Sequence, residues 1–206
     1  QSWYATYLGL RELPRQISTF ELQSFFTYSR TERELINARR SNAHKLGLAL
    51  HIGFLRLSGR LLNSVRIVPT TLWRHLGDEI GITAVELASL RALYVRGRTL
   101  FDHQQLACDV LGFHWMTEHQ RRALVRTLRD EVARCADRDQ LLVFARRWLY
   151  QSKILILRDR DIRVLVTAAL GQLEEETAKT IAASVLPEQL VRWRDAMAAL
   201  RPDGQT

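Results

Sequence analysis

Cysteines and long apolar runs are scarce in this sequence, and each scarcity excludes a class of protein. Among its 206 residues are two cysteines, Cys108 and Cys135, whose spacing fits neither a disulfide framework nor a zinc site. We therefore expect reduced thiols and a cytoplasmic protein. No apolar run reaches the roughly 18 residues that a membrane helix needs, and no signal peptide opens the chain, so we expect no membrane partner.

The sequence also lacks the marks of an active site. Its six histidines do not combine with cysteines or carboxylates at metal-site spacing, and it contains neither a glycine-rich phosphate loop nor a Gly-x-Ser-x-Gly motif. The acidic residues are spread along the chain as helix caps and i,i+4 partners. The sequence thus predicts a non-catalytic chain with no metal and no cofactor of its own. Because it begins at Gln1 and not at Met, we expect it to be part of a longer protein.

Helical periodicity dominates what is present. Proline occurs only at positions 14, 69, 187 and 202, and hydrophobic residues recur at helical spacing between them. The pattern predicts about ten helices, at 18–26, 31–40, 41–58, 69–80, 83–95, 99–111, 117–135, 137–151, 159–176 and 187–200. Capping boxes are expected at Ser18-x-x-Glu21, Thr83-x-x-Glu86 and Thr117-x-x-Gln120.

These elements predict an all-α fold, a multi-helix bundle with helix-turn-helix-like elements and little or no sheet. Residues 153–157 are β-like in composition and are expected to form an extended connector. We expect two modules, an N-terminal helical DNA-binding module at 1–136 and a C-terminal helical module at 137–206. The segment 78–83, with a glycine between two helices, favours a helix-turn-helix weakly. The second helix of this motif begins with acidic and apolar residues, which do not suit a recognition helix. We expect it to pack against and support the helix beginning at Thr99, which would then enter the DNA groove.

Positive charge is concentrated in one part of the chain. There are 30 basic and 22 acidic residues, which gives a net charge of +8, and only three of the basic residues are lysines. Between positions 30 and 66, eight basic residues face two acidic ones, a local net charge of +6. A localised basic patch on an otherwise balanced protein is typical of a polyanion-binding site.

The first candidate binding segment surrounds the start of the predicted helix at 41–58. Basic side chains and base-reading side chains meet there at a helix N-terminus, where backbone amides and the helix dipole favour a phosphate. The residues are Arg39, Arg40, Asn42, His44 and Lys45. Arg56 and Arg60, spaced i,i+4, are expected to project from the same side as the chain leaves this helix.

The second candidate segment leads into the helix predicted at 99–111. Two arginines precede side chains that can hydrogen-bond to bases. The residues are Arg96, Arg98, His103, Gln104 and Gln105. A capped loop-to-helix junction is an equally good interpretation of this segment. For the whole chain, the alternatives to DNA recognition are a helical protein-interaction scaffold and a helix-turn-helix transcription regulator.

Several segments together resemble the N-terminal region of class II replicative transposases, the Tn-three family. The resemblance covers about residues 14–200 and is most specific at 46–60. The matching segments are Glu21-Leu22-x-x-Phe25-Phe26-Thr27, Arg39-Arg40, Leu46-Gly47-Leu48-Ala49-Leu50-x-x-x-x-Leu55-Arg56-x-x-Gly59-Arg60, Arg96-Gly97-Arg98-Thr99 with His103, Leu111-Gly112-Phe113 and Trp148-Leu149.

The resemblance implies that the chain recognises the terminal inverted repeats of a bacterial mobile element. Cleavage and strand transfer would then depend on a magnesium-dependent, RNase-H-like domain elsewhere in the transposase. The implied partners are double-stranded DNA at the transposon ends, the remainder of the transposase chain and a second copy in a homodimer of the full-length protein. The implied location is the bacterial nucleoid.

Overall fold

A computed structural model describes residues 3–83, 86–95, 97–135 and 137–199, and the all-α prediction is confirmed. Within these ranges the backbone forms eleven helices, and strand pairing is limited to one isolated bridge between His114 and Ile154. The helices are α1 (Trp3–Tyr7), α2 (Thr19–Phe25), α3 (Arg30–Asn37), α4 (Asn42–Ser58), α5 (Thr70–Ile80), α6 (Leu87–Tyr94), α7 (Arg98–Leu111), α8 (Glu118–Val132), α9 (Arg138–Gln151), α10 (Asp159–Ser184) and α11 (Pro187–Ala199).

Helix α4 lies at the centre of the first hydrophobic cluster. Its residues from Leu46 to Leu55 are all buried, because apolar residues cover every face of the helix and α2, α3, α5, α6 and α7 pack around it. Close approach depends on a small residue at Gly53, where a Cβ atom would overlap the Phe26 ring. The helix ends at Gly59, whose left-handed φ of 69° favours glycine.

A second hydrophobic cluster is formed by α8, α9 and the first half of α10. Helix α8 contributes Leu124, Leu128 and Val132 to it and packs mainly against α10. Helix α8, which lies N-terminal to the predicted module boundary at 136, belongs to this second cluster, as does Leu8 near the start of the chain. Leu155 belongs to the first cluster, so the clusters alternate along the chain and the boundary at 136 stays a prediction.

Residues 154–157 connect the two clusters outside any helix or turn, as their composition predicts, whereas Lys153 lies in the turn after α9 with a left-handed φ of 58°. Leu155 donates its backbone N–H to the His114 carbonyl at 2.9 Å, and Ile156 donates to the Gly59 carbonyl at 2.9 Å. Ile154, Leu155 and Ile156 are all buried. The segment is thus held by the end of α4 on one side and by the loop before α8 on the other.

Other sequence predictions differ from the structure at element ends. Helix α1 was not predicted, since it is only five residues long. Helix α10 continues to Ser184, past the predicted end near 176, and is supported there by an ion pair of 2.7 Å between Lys179 and Glu175. The capping box predicted at Thr83 is wrong, because α6 begins at Leu87 with Glu86 as an N-cap that makes no side-chain hydrogen bond.

Candidate nucleic-acid interface

Polar and basic side chains gather at the N-terminus of α4. Ser41 is the N-cap, and its Oγ accepts a hydrogen bond from the His44 backbone N–H at 3.4 Å. Arg40 donates from Nε to His44 Nε2 at 3.1 Å, while His44 Nδ1 lies 2.8 Å from Ser41 Oγ. His44 is therefore held in place from both sides. Burial and the neighbouring guanidinium groups of Arg40 and Arg39 lower the pKa of His44, so it is neutral near pH 7.

The positive charges at this helix start are not neutralised by carboxylates. Among the ion pairs between described residues, none involves Arg39, Arg40 or Lys45. Asn42 and Arg40 are exposed, while Arg39 and Lys45 are half-buried. We call these four residues and His44 the Arg39–Lys45 surface. It combines unpaired cations with the free backbone amides of a helix N-terminus, which is a suitable arrangement for phosphate.

The first turns of α7 lie beside this surface. The rings of His44 and His103 are 5.8 Å apart between centroids, and Arg39 is close enough to His103 to lower its pKa. Arg98 and Gln105 are exposed on α7, and Gln105 Nε2 donates to Asp109 Oδ1 at 2.8 Å. The fold thus brings together the two segments that the sequence nominated separately. Arg96 lies outside the described residues.

Two of the nominated residues on α7 have structural partners inside the protein. His103 is only 2% exposed, and its Nδ1 lies 2.8 Å from the hydroxyl of Tyr94. Gln104 is buried and donates to the Leu62 carbonyl at 2.9 Å and to Asn63 Oδ1 at 3.0 Å. Because neither side chain reaches the surface, we correct their assignment and remove them from the candidate contact set.

Arg56 on the second half of α4 and Arg60 just after its end also point inward. Arg56 donates to the backbone carbonyls of Phe25 and Thr27 and forms an ion pair with Glu32. Arg60 is buried and donates to Ile156 and to Asp159. They hold loops and helices together, so they too leave the contact set.

These two arginines are part of a wider pattern of pairing in the basic stretch between positions 30 and 66. Two more of the eight cations in this stretch form ion pairs, so that four are paired in all. Arg30 lies 2.9 Å from Glu34, and Arg33 lies 2.6 Å from Glu79. The charge of this stretch is therefore not one continuous patch. What remains unpaired is concentrated at the Arg39–Lys45 surface, with Arg66 exposed elsewhere.

Basic residues on α8 were missed by reasoning from the sequence. Arg121, Arg122 and Arg126 are exposed, and Arg129 is half-buried. Over the residues from 69 to 136, nine basic residues are balanced by eight acidic ones, three of which lie on α8 itself, so the count for this stretch hid them. Their clustering on one helix within a few turns was the signal that could have found them.

Two further observations concern the described part of the chain alone. Within it, no group of three or more histidine, cysteine or acidic side chains is arranged to hold a metal ion. None of its helices combines the length and the apolar character that crossing a bilayer requires.

Comparison with known proteins places this chain in a family. A family model described as a domain of unknown function, DUF4158, matches residues 5–186. The chain belongs to the DUF4158 family. This DUF4158 chain is 66% identical over all 206 residues to the transposase for insertion sequence element IS1071 in transposon Tn5271 of Comamonas testosteroni. It is 23% identical over 181 residues, or 88% of the chain, to the transposase for transposon Tn1546 of Enterococcus faecium.

The resemblance to transposases noted in the sequence is thereby confirmed. The DUF4158 chain spans about a fifth of the length of these relatives, 21% of the first and 18% of the second. The comparison therefore concerns one part of a much longer protein.

Proposed function

We propose that this chain binds DNA at the terminal inverted repeats of a transposon, as a non-catalytic part of a transposase. The Arg39–Lys45 surface carries the proposal, because it offers unpaired cations and free helix amides at one place. Arg98 and Gln105 are exposed on α7, the helix whose His103 ring packs beside His44, and they are the further contact candidates.

The side chains of this surface divide by chemistry into two roles. Arg39, Arg40, Lys45 and Arg98 would neutralise phosphates, which supplies affinity without sequence preference. Exposed amides at Asn42 and Gln105 can form paired hydrogen bonds with adenine in the major groove. Neutral His44 can hydrogen-bond to a base only after it releases Arg40 or Ser41. It is therefore better suited to holding Arg40 and the helix start in place.

The transposase assignment is supported by the relatives, both of which are transposases. On this proposal the chain needs no cofactor of its own, and magnesium would serve a catalytic domain in another part of the protein. The protein would act in the bacterial cytoplasm, at the nucleoid. Its partners would be double-stranded DNA and the remainder of the transposase.

Fluorescence anisotropy with labelled duplexes tests this proposal. A duplex of the host transposon's end should bind more tightly than a scrambled duplex, and affinity should fall steeply with salt because binding releases counterions. Replacing both Arg39 and Arg40 with alanine should weaken binding to both duplexes. It should also lower the slope of log K against log salt by about 1 per lost phosphate contact.

Arg192→Ala with Arg194→Ala is the matched control, because it removes the same charge from exposed positions of α11. If the two double variants change the salt slope equally, the effect comes from net charge and the surface assignment fails. If the two duplexes bind equally, recognition of the repeat fails.

A second candidate, a helical protein-interaction module, is favoured by one observation on α11. Leu186, Leu190, Trp193 and Met197 follow one another at helical spacing, and each is half or more exposed. Large apolar side chains on one helix face commonly mark a contact with another protein surface. Absence of any salt-dependent binding to DNA would favour this candidate over the first.

A further inference from the structure

A second cation-lined surface runs along the groove between α8 and the first half of α10. Arg121, Arg122, Arg126 and Arg129 line it from α8, and Val164 and Leu165 form part of its floor on α10. Arg121 and Leu165 also line the next depression along the groove. That depression in turn shares Leu157 and Asp161 with a third one that opens beside Trp115. We call this continuous surface the α8–α10 groove.

The cations of the α8–α10 groove are only partly neutralised. Arg122 lies 3.6 Å from Glu118, with both side chains exposed, so this ion pair is weak. The half-buried Arg129 lies 3.2 Å from Glu176 and 4.0 Å from Asp130. Arg121 and Arg126 take part in none of the ion pairs between described residues. Both are exposed, and they lie five positions apart on α8. The groove is therefore attractive to an anionic chain.

At the other end of the groove a large aromatic ring is exposed. Trp115 is 68% exposed, although tryptophan normally buries most of its area. It lines a depression of about 640 Å³ together with Glu12, Asp161 and the exposed Arg11 and Arg158. The Arg11 guanidinium lies 3.9 Å from Asp159 and that of Arg158 lies 3.3 Å from Asp161, both on the exposed side where ion pairs are weak. This volume is within the range of sites that hold small ligands, so the depression can accept a single nucleobase.

We propose that the α8–α10 groove holds a single-stranded stretch of DNA, with its backbone along the α8 arginines and one unpaired base stacked on Trp115. A positively charged groove with an exposed aromatic ring is the arrangement that binds single strands, because every base has a face that can stack. The bases of an intact duplex are already stacked on one another and cannot use Trp115 in this way. An acidic peptide could use the arginines but would gain little from the indole.

This second site goes beyond duplex recognition at the Arg39–Lys45 surface, since it lies on other helices and takes another form of DNA. The test uses the whole chain and a fluorescein-labelled oligothymidine of about 12 nucleotides, a length within the usual site size for such grooves. Trp115→Ala should lower its affinity roughly 5- to 150-fold, as removal of a stacking aromatic does elsewhere. Trp115→Phe should restore most of the affinity, because phenylalanine keeps a stacking face.

Two further measurements separate stacking from charge. An oligonucleotide of abasic sites should bind Trp115→Ala and the unchanged chain equally, since no base is present to stack. Arg121→Ala with Arg126→Ala should weaken binding of both oligonucleotides and flatten the salt dependence more than the Arg192→Ala, Arg194→Ala control does.

The proposal is overturned if Trp115→Ala binds oligothymidine as tightly as the unchanged chain while remaining folded by circular dichroism. It is also overturned if polyglutamate binds the groove in a Trp115-dependent manner and oligothymidine does not, which would assign the groove to an acidic peptide. Failure here is distinguishable from failure of the duplex site, because Arg39→Ala with Arg40→Ala should change duplex binding and leave oligothymidine binding nearly intact.

Discussion

Arg60 donates from its guanidinium to Asp159 Oδ1 at 3.0 Å across 99 positions of the chain. Arg146 donates to the same oxygen, also at 3.0 Å. Burial alone would raise the pKa of Asp159, but these two guanidinium groups outweigh burial and hold its pKa below the usual value. One carboxylate at the start of α10 therefore joins the end of α4 to α9, and with it the first hydrophobic cluster to the second.

Asp159→Asn should destabilise the protein, because it leaves the buried guanidinium of Arg60 without a counter-charge. We expect the free energy of unfolding to fall by about 2–3 kcal/mol, a value discounted because the Asp159 side chain is 32% exposed. Urea denaturation near pH 7 measures it. Asp161→Asn is the control, since its partner Arg158 is 83% exposed, and it should cost less than about 0.5 kcal/mol. Equal losses in the two variants would show that Asp159 does not join the clusters.

Arg56→Ala should act on stability and not on DNA affinity. The Glu32 side chain that pairs with Arg56 is only 8% exposed, so removing the guanidinium leaves a carboxylate buried without its cation. We expect a loss of about 3 kcal/mol in urea denaturation. The exposed pair of Arg30 and Glu34 supplies the control, and Arg30→Ala should cost less than about 0.5 kcal/mol. A lower duplex affinity in Arg56→Ala protein that is fully folded would return Arg56 to the contact set.

Alanine at two helical glycines should change stability in opposite directions. At Gly53 the new methyl group would overlap the Phe26 ring, and such overpacking costs about 1–3 kcal/mol. At Gly171 an added Cβ would meet no atom within 4 Å apart from the backbone of its own helix and its chain neighbours. The higher helix propensity of alanine should therefore stabilise α10 by about 0.5–1 kcal/mol. Thermal unfolding of both variants checks this, and a stabilised Gly53→Ala protein would contradict the close packing of α2 on α4.

Stability should fall as the pH is lowered from about 6.5, because two histidines are buried in the neutral form. Burial lowers the pKa of His103 to about 4, with smaller contributions from His44 and Arg39, and burial lowers the pKa of His51 to about 3, with a contribution from His103. In the unfolded chain both have the ordinary value of 6.5, so below that pH the unfolded state binds protons that the folded state does not. Each group then removes up to about 1.4 kcal/mol per pH unit.

Urea denaturation at pH 7.5 and pH 5 isolates this effect, since few carboxylates titrate between these values. His51→Gln removes one titrating group, and the difference in unfolding free energy between the two pH values should become smaller. His119→Gln, the same substitution at an exposed position, is the control. If the two variants show the same pH dependence, His51 does not take up a proton when the protein unfolds at pH 5.

Periodicity and capping residues were enough to predict most of the helices. Ser18 and Thr117 form the capping boxes that their spacing predicts, and the glycines at 59, 81 and 112 end helices in the left-handed conformation. These signals are local, so they can be read without knowing what packs against what. The prediction at Thr83 failed because the spacing of a capping box shows only which side chains could cap a helix. In the structure the N-cap of α6 is Glu86, three residues later.

The contact residues were harder to predict, because exposure depends on the whole fold. Arg40 and Arg60 have the same side chain in the same basic stretch, but one is exposed and the other is 7% exposed beside Asp159. No local pattern distinguishes them, since the carboxylate that pairs with Arg60 is nearly a hundred residues away. In the same way, the buried partners of His103 and Gln104 come from α6 and from the loop after α4.

The extended segment between α9 and α10 has a consequence for hydrogen exchange. The backbone amides of Leu155 and Ile156 are each bound to a carbonyl outside their own segment, at His114 and at Gly59, and both side chains are buried. Fraying of a single helix frees neither amide. Their protons should therefore exchange with solvent only when the whole molecule opens, which makes them reporters of global unfolding.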